Sequence, residues 1–374
     1  MIINYKRKQT AIGVFFSSAA ILLIVGICMI VSASAVIGME NYNNPFYLIK
    51  KHAMYLGLGF VLSLIILKQK MSHIKKSIPL FYAFCLILCC LPFVPGIGLK
   101  VGGAFRWIEI FGFSFQPVEC LKLALCLLWA NFLSHKGDTI KSLKEGLLPM
   151  GLLSIPALIV LALQPDFGNT MLIVTVWLLL MLVSQCNIFH VFFLGLLLLC
   201  GAVVSVFSNP YQMARIEAFL DPWADPLGKS YHIIQSLTAI GSGGVFGQGL
   251  GASKLKFSYL PLFHSDFIFS VLAEEGGLLL ASFCILCFLA FVLSGLVIAY
   301  EQESSFSSFL ILGLVMFLGM QAYFNIGVTL GLFPTTGIPL TFISYGGSSL
   351  VFSCVGLALV ALSLKKESVR QVAN

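Results

Sequence analysis

Asp266 is the residue best placed for acid–base chemistry. It lies in the segment Tyr259–Glu275, where a long polar stretch gives way to an apolar run. A carboxylate at such a partly desolvated boundary can have the raised pKa that a general base requires. If a helix begins there, Ser270 and Glu274 follow on the same face at i+4 and i+8. The residues alone leave two roles open, because an aspartate at this point is equally typical of a helix N-cap.

Charged side chains in other apolar runs extend this candidate site. Glu119 and Lys122 lie three residues apart, so they share a helix face and can neutralise each other. Polar groups within a membrane span are costly and usually functional, so the pair either orients its helix or lines a substrate cavity. Asp166 follows Pro165 and is interpreted as an Asx turn or as the cap of the next helix.

Arg106 and Trp107 are neighbours in the string Gly102–Ile108. Tryptophan is typical of the aromatic belt at a membrane interface, whereas a guanidinium beside it suits bidentate binding of a phosphate. The segment Gly337–Ser349 supplies glycine pairs and small hydroxyl residues, which favour close helix packing slightly over contact with a ligand. Together these residues indicate a cavity for an anionic amphiphile, in an enzyme or in a transporter.

The chain that must position these residues consists mostly of apolar runs. Its 374 residues are 59% hydrophobic and 10% charged, whereas soluble domains contain about 25% charged residues. A water-soluble fold is therefore excluded. Runs of about 20 apolar residues predict about ten transmembrane helices, the first at 12–35 and the last at 342–364. The predicted fold is all-α and polytopic, with 1–374 forming a single transmembrane domain.

The 22 Lys and Arg residues predict the orientation of the spans. They concentrate in alternate connections and at both basic ends of the chain, as is typical of cytoplasmic segments. An even number of spans then places both termini in the cytoplasm. The net charge of +7 forms no basic stripe interleaved with aromatic residues, which argues against nucleic-acid binding.

The longest connection, residues 209–266, is predicted to be an extracytoplasmic loop between helices 7 and 8. Long loops in compact proteins are usually functional or disordered, and a short helical pattern at 231–240 favours an ordered loop. Cys284 and Cys287 form a C-x-x-C within an apolar run. Without a second pair they are interpreted as packing residues, so no metal site is predicted.

Seven strings resemble the SEDS family (shape, elongation, division and sporulation) and occur in the family's order over nearly the whole chain. They are Gly103–Ile108, Phe115–Glu119, Gln164–Asp166, Arg215–Trp223, Gln235–Gly244, His264–Phe269 and Ile343–Ser349. Within the family, Asp221–Trp223 and Gly319–Val328 are most similar to the FtsW cell-division branch. The elongation and sporulation branches remain alternatives.

The resemblance implies a peptidoglycan glycosyltransferase that polymerises lipid II at the outer face of the bacterial cytoplasmic membrane during septal cell-wall synthesis. Asp266 matches the family's essential aspartate, which is implied to deprotonate the acceptor hydroxyl. That hydroxyl attacks the donor's anomeric carbon with inversion and expels undecaprenyl diphosphate. The residues expected to bind substrate are Arg106, Trp107, Glu119, Lys122, Arg215, His264 and Ser344.

The expected partners are a class B penicillin-binding protein, which is a monofunctional transpeptidase, and other divisome proteins. The resemblance leaves open a divalent cation (Mg²⁺ or Mn²⁺), although no ligand cluster predicts one, and it implies no other cofactor. Leu262 and Phe263 replace a usual Glu-Ala. Two alternatives to the enzyme are a lipid II flippase and a scaffold for the transpeptidase. Against transport, the sequence lacks paired broken helices in two related halves.

Overall fold

The computed structural model describes residues 2–101, 104–110, 113–253 and 265–372. Within these ranges the chain forms twelve α-helices and three short β-strands. The helices are α1 Ile2–Tyr42, α2 Tyr47–Leu67, α3 Met71–Cys90, α4 Pro117–Lys136, α5 Leu148–Leu163, α6 Phe167–Val183, α7 Ile188–Ser208, α8 Pro210–Leu220, α9 Tyr231–Gly243, α10 Ile268–Tyr300, α11 Ser305–Thr329 and α12 Gly347–Val372. The strands are β1 Gly98–Val101, β2 Ala104–Ile110 and β3 Phe113–Phe115.

Nine of the described helices are long and apolar enough to cross a membrane. A further apolar helix, α6, has 17 residues and would reach about 25 Å at 1.5 Å per residue, the lower end of what a span needs. The remaining two, α8 and α9, are shorter and lie in the stretch 209–266. The all-α, polytopic fold with about ten spans is thereby confirmed, and the chain is a multi-pass membrane protein.

Burial shows which helices form the centre of the bundle. In the apolar window of α4, 83% of residues are buried, against 72% in α12, 61% in α11 and 11% in α7. Trp129 of α4 is fully buried; its indole lies 5.9 Å from the ring of Phe317 on α11 and donates to the Ser154 hydroxyl at 2.9 Å. The core therefore surrounds α4, and α7 lies at the periphery.

A small antiparallel sheet between α3 and α4 is a feature that the sequence reading missed. Its strands pair in the order β1-β2-β3. Ala104 and Ile108 of β2 are buried whereas Phe105 and Glu109 are exposed, the alternation expected of a strand with one covered face. The Gly102-Gly103 pair is a recognised signal for a hairpin. Its position between two long apolar runs explains why the sequence analysis assigned helices there and no strands.

Two helix starts bear on the sequence predictions. Asp166 caps α6: its carboxylate accepts hydrogen bonds from the Asn169 backbone at 3.3 Å and the Asn169 amide at 2.9 Å, which confirms the capping interpretation. The predicted start of the last span at 342 is wrong, because α12 begins at Gly347. Phe342 has a φ of 66°, and the Ile343 N–H bonds back to the Leu340 carbonyl at 3.2 Å, so the chain turns here.

A break inside α10 joins that helix to the stretch 209–253. Gly277 has a φ of 64°, so the helical backbone bonding is interrupted beside Glu274 and Glu275. The segment 244–249 runs alongside: Gln248 N–H donates to the Glu274 carbonyl and Gly249 N–H to the Glu275 carbonyl, each at 3.0 Å. The backbone groups freed by the break are thus satisfied, as burial requires.

The predicted helical pattern at 231–240 is confirmed as α9. The extracytoplasmic position of 209–266 and the single-domain organisation stay predictions.

Candidate functional site

The backbone around Asp266 is held by α11 and by the turn before α12. The Asn325 amide donates to the carbonyls of Asp266 at 2.9 Å and Ile338 at 2.8 Å. The Ser344 hydroxyl donates to the Ser265 carbonyl and accepts from the Leu340 N–H at 2.8 Å. The N-cap residue of α10 is Phe267, so Asp266 does not have the capping role that the sequence left open.

The Asp266 carboxylate is partly buried. Desolvation by burial raises its pKa from 3.8 to about 6, because the charged form is disfavoured away from water. The positive charges of Arg215 and Arg106 and a hydrogen bond from Ser265 limit this rise. An acid with a pKa near neutrality suits proton transfer at physiological pH.

Two arginines from different elements meet beside Asp266. Arg215 on α8 donates to the Thr335 carbonyl at 2.9 Å and to the Tyr211 hydroxyl at 2.6 Å. Arg106 on β2 donates to the Gln164 carbonyl at 3.4 Å and to the Pro165 carbonyl.

Both arginines line one small pocket. Each guanidinium has five N–H donors, and these bonds use two of them. Each arginine therefore keeps further N–H donors, which suit an anionic oxygen.

Glu119 and Lys122 form a buried ion pair rather than part of this pocket. Lys122 Nζ lies 2.8 Å from Glu119 Oε1 and donates to Gln321 Oε1 at 2.7 Å. The Gln321 amide in turn donates to the Pro339 carbonyl at 3.1 Å and to the Ser349 hydroxyl at 2.9 Å. The pair thus connects α4 to α11 and to the segment before α12, as an orienting role requires. Glu119 and Lys122 also line a second small pocket, so both roles stay open.

Gln321 and Asn325 are the residues that the sequence reading missed. They stand four residues apart on α11, so they share a face and bind the successive carbonyls of Pro339 and Ile338. Through them the Glu119–Lys122 pair is linked to the Asp266 backbone. The sequence did contain a signal for these two residues. Two side-chain amides in an otherwise apolar run are costly unless they form hydrogen bonds inside the protein.

The remaining predicted binding residues do not join Asp266 in one cluster. Trp107 lies on the face of β2 opposite Arg106, because adjacent residues of a strand point to opposite faces. The binding of substrate by Arg106 and by Trp107 therefore has to be tested for each residue separately and stays a prediction. Ser344 is 4% exposed and holds backbone groups, so its contact with substrate stays a prediction. His264 lies outside the described residues.

The described ranges contain no group of three or more His, Cys, Asp or Glu side chains that could hold a metal ion. The divalent cation that the resemblance leaves open stays a prediction, and no step below is routed through one.

Comparisons with known proteins show the family of the chain. The FtsW/RodA/SpoVE family of cell cycle proteins matches residues 13–368. Stage V sporulation protein E of Bacillus subtilis is 37% identical over 91% of this chain and 93% of its own. A probable peptidoglycan glycosyltransferase FtsW of Geobacter sp. is 38% identical over the same shares of the two chains.

Solved structures share the fold. A chain from a structure described as the coordination of polymerization and crosslinking by a peptidoglycan synthase complex has a TM-score of 0.76 and 27% identity, covering 95% of this chain and 97% of that one. The rod shape determining protein RodA of Thermus thermophilus has a TM-score of 0.69 and 25% identity, with coverage of 95% and 96%.

Proposed function

Because the chain belongs to the FtsW/RodA/SpoVE family of cell cycle proteins, we propose that it is a peptidoglycan glycosyltransferase that polymerises lipid II into β-1,4 glycan strands. The observation that carries this proposal is a carboxylate, Asp266, whose pKa is raised to about 6 beside the charges of Arg215 and Arg106. Relatives named as glycosyltransferases support the same activity.

In this reaction Asp266 accepts the proton of the acceptor sugar's hydroxyl. The hydroxyl oxygen forms a bond to the anomeric carbon of the donor from the face opposite the diphosphate. The bond between that carbon and the diphosphate oxygen breaks, and its electron pair leaves with the diphosphate. Arg215 and Arg106 stabilise the negative charge that develops there. Attack from the opposite face converts an α-linked donor into a β linkage.

The same proposal assigns a cellular setting. The reaction takes place at the outer face of the bacterial cytoplasmic membrane, with both termini in the cytoplasm and a class B penicillin-binding protein as the transpeptidase partner. Similarity to a chain of a peptidoglycan synthase complex supports such a partner. We assign the enzyme to septal synthesis with the divisome proteins, and the sporulation branch is the competing assignment because the two relatives are 38% and 37% identical.

The test is polymerisation of lipid II by the purified protein, with its transpeptidase partner, in proteoliposomes. The Asp266→Asn variant should make at least about 100-fold less glycan polymer, the effect of losing a general base. The matched control is Asp221→Asn, an exposed carboxylate that accepts from the Trp223 N–H at 3.2 Å, a bond that asparagine can also accept.

Polymer formation by Asp266→Asn at the wild-type rate would remove Asp266 from the reaction. Transfer of lipid II across the bilayer by a wild-type protein that makes no polymer would instead establish the flippase alternative.

A further inference from the structure

Two buried cysteines face each other where α3 packs against α4. The Sγ atoms of Cys85 on α3 and Cys120 on α4 lie 3.0 Å apart, and the two residues are 0% and 4% exposed. Both are free thiols. The sulfurs of a disulfide are about 2.05 Å apart, so a shift of about 1 Å would bring these two atoms to bonding distance.

Both cysteines lie close to the helix ends that the small sheet connects. Cys85 stands five residues before Cys90, the last residue of α3. Cys120 is the fourth residue of α4, which begins at Pro117. In the orientation proposed above, α3 ends and α4 begins at the outer side of the membrane. Disulfides form and persist on that side.

A disulfide at this point would act on the segment that carries Arg106. It would close the loop 86–119, which contains all three strands of the sheet. One turn after the first cysteine, the carbonyl of Cys89 accepts from the Gln164 amide at 2.5 Å. The Gln164 carbonyl in turn accepts from Arg106 at 3.4 Å, and the charge of Arg106 acts on Asp266. The cysteine pair is thus linked through hydrogen bonds to the candidate site.

We propose that Cys85 and Cys120 form a reversible disulfide when hydrogen peroxide oxidises the protein, and that this bond restrains the segment carrying Arg106. Free cysteines in apolar runs usually serve as small packing residues. This pair differs because its two sulfurs come from different helices and lie in contact, so the product of oxidation at one sulfur is within reach of the other thiol.

The reaction consumes one hydrogen peroxide and releases two waters. The sulfur of Cys120, the more exposed of the two residues, attacks one peroxide oxygen. The O–O bond breaks, the other oxygen leaves with the electron pair and the thiol proton as water, and a sulfenic acid remains. The sulfur of Cys85 then attacks the sulfenic sulfur. The S–O bond breaks, and the hydroxide leaves with the proton of the second thiol as water. The two thiols lose two electrons, which reduce the peroxide.

Disulfide mapping tests the site without requiring turnover. The full-length wild type in proteoliposomes is treated with hydrogen peroxide, denatured in N-ethylmaleimide and digested. We expect two of the eleven cysteines to escape alkylation and a cross-linked peptide pair to join the segments around Cys85 and Cys120. Dithiothreitol should restore both thiols. Alkylation of all eleven cysteines after peroxide treatment, or a cross-link between other positions, would overturn the proposal.

Two cysteine variants test the order of the steps. Cys85→Ala removes the thiol that closes the bond, so peroxide should leave a sulfenic acid at Cys120, which dimedone traps. The matched control, Cys126→Ala, removes a buried cysteine six residues further along α4 and should form the cross-link as the wild type does. Equal trapping at Cys120 in the wild type and in Cys85→Ala would show that Cys85 does not take part.

The effect on polymerisation rests on the proposed function. A misplacement of about 1 Å can lower a rate by about 100-fold. Because the disulfide displaces Arg106 only through intervening contacts, we expect oxidation to lower the wild-type rate about tenfold. Dithiothreitol should restore the rate, and Cys85→Ala should keep its rate in peroxide.

The outcomes separate the two proposals. Equal rates for the cross-linked and the reduced wild type would refute the restraint on Arg106 and leave the glycosyltransferase intact. A reduced wild type that makes no polymer, yet forms the mapped disulfide, would refute the glycosyltransferase and leave the oxidation site.

Discussion

Replacing Asp266 with asparagine removes a charge that the folded protein holds in an unfavourable environment. The folded-state pKa is raised from 3.8 to about 6, so the folded protein binds this proton more tightly than the unfolded chain does. The resulting destabilisation is absent below about pH 4, grows as the pH rises to about 6, and is complete above that. Asparagine carries no charge at any of these values, so the variant should be more stable than the wild type at neutral pH.

The size of the effect follows from the pKa difference. Each pKa unit corresponds to about 1.4 kcal/mol, which sets an upper limit of about 3 kcal/mol for a rise from 3.8 to about 6. Because the side chain is only partly buried, solvent screening reduces this to about 1–2 kcal/mol. A gain of that size raises the unfolding temperature of a protein this large by about 2–4 °C.

The assay is thermal unfolding of the purified protein in detergent at about pH 4 and about pH 7.5. Asp266→Asn should unfold at a higher temperature than the wild type at the higher pH, and the difference should shrink towards zero at the lower pH. Asp221→Asn, which removes an exposed carboxylate, should show no such gain. A variant that is less stable at pH 7.5, or a difference that does not depend on pH, would refute the assignment of a desolvated carboxylate at this position.

Three further predictions test the network around the site. Lys122→Met should lower the stability by about 3–5 kcal/mol, because it leaves Glu119 buried and unpaired; thermal unfolding measures this, and adding Glu119→Gln should restore part of the loss. Arg215→Gln should shift the acid limb of the pH–rate profile to higher pH, because the Arg215 charge lowers the pKa of Asp266. Asn325→Ala should reduce the polymerisation rate and cost about 1–3 kcal/mol of stability by leaving two backbone carbonyls without their donor, as rate and unfolding measurements on one preparation would show.

Contrary results are equally clear for these variants. An unchanged unfolding temperature for Lys122→Met would mean that the pair does not hold α4 to α11. An acid limb that does not move in Arg215→Gln would separate Arg215 from Asp266. Full polymerisation by Asn325→Ala would show that the Asp266 backbone needs no support from α11.

The spans and the cap at Asp166 could be predicted because they depend on local sequence. Apolar runs and their polar ends indicate where helices lie. A carboxylate at the end of such a run can be identified from the sequence without tertiary information. The β2 strand was missed because seven residues between two long apolar runs carry a weak periodic signal. The strand also places the side chains of Arg106 and Trp107 on opposite faces, which adjacency in the sequence does not reveal.

Other features depend on contacts that sequence spacing does not reveal. Lys122 meets Gln321 across 199 positions, and Asn325 meets Asp266 across 59. The contact of Lys122 with Gln321 depends on what α11 presents to α4, and that requires the packed bundle.

At the break in α10, the backbone around Gly277 packs directly against the backbone of the segment 244–249. A Cβ at Gly277 would lie 2.3 Å from Gly247 N, and a Cβ at Gly247 would lie 2.1 Å from the Glu275 carbonyl oxygen. Replacing either glycine with a larger residue would therefore force the two backbone segments apart. Asp266 stands just before the stretch of α10 that these backbone contacts hold, so the position of its main chain depends on the fit between Gly277 and the segment 244–249.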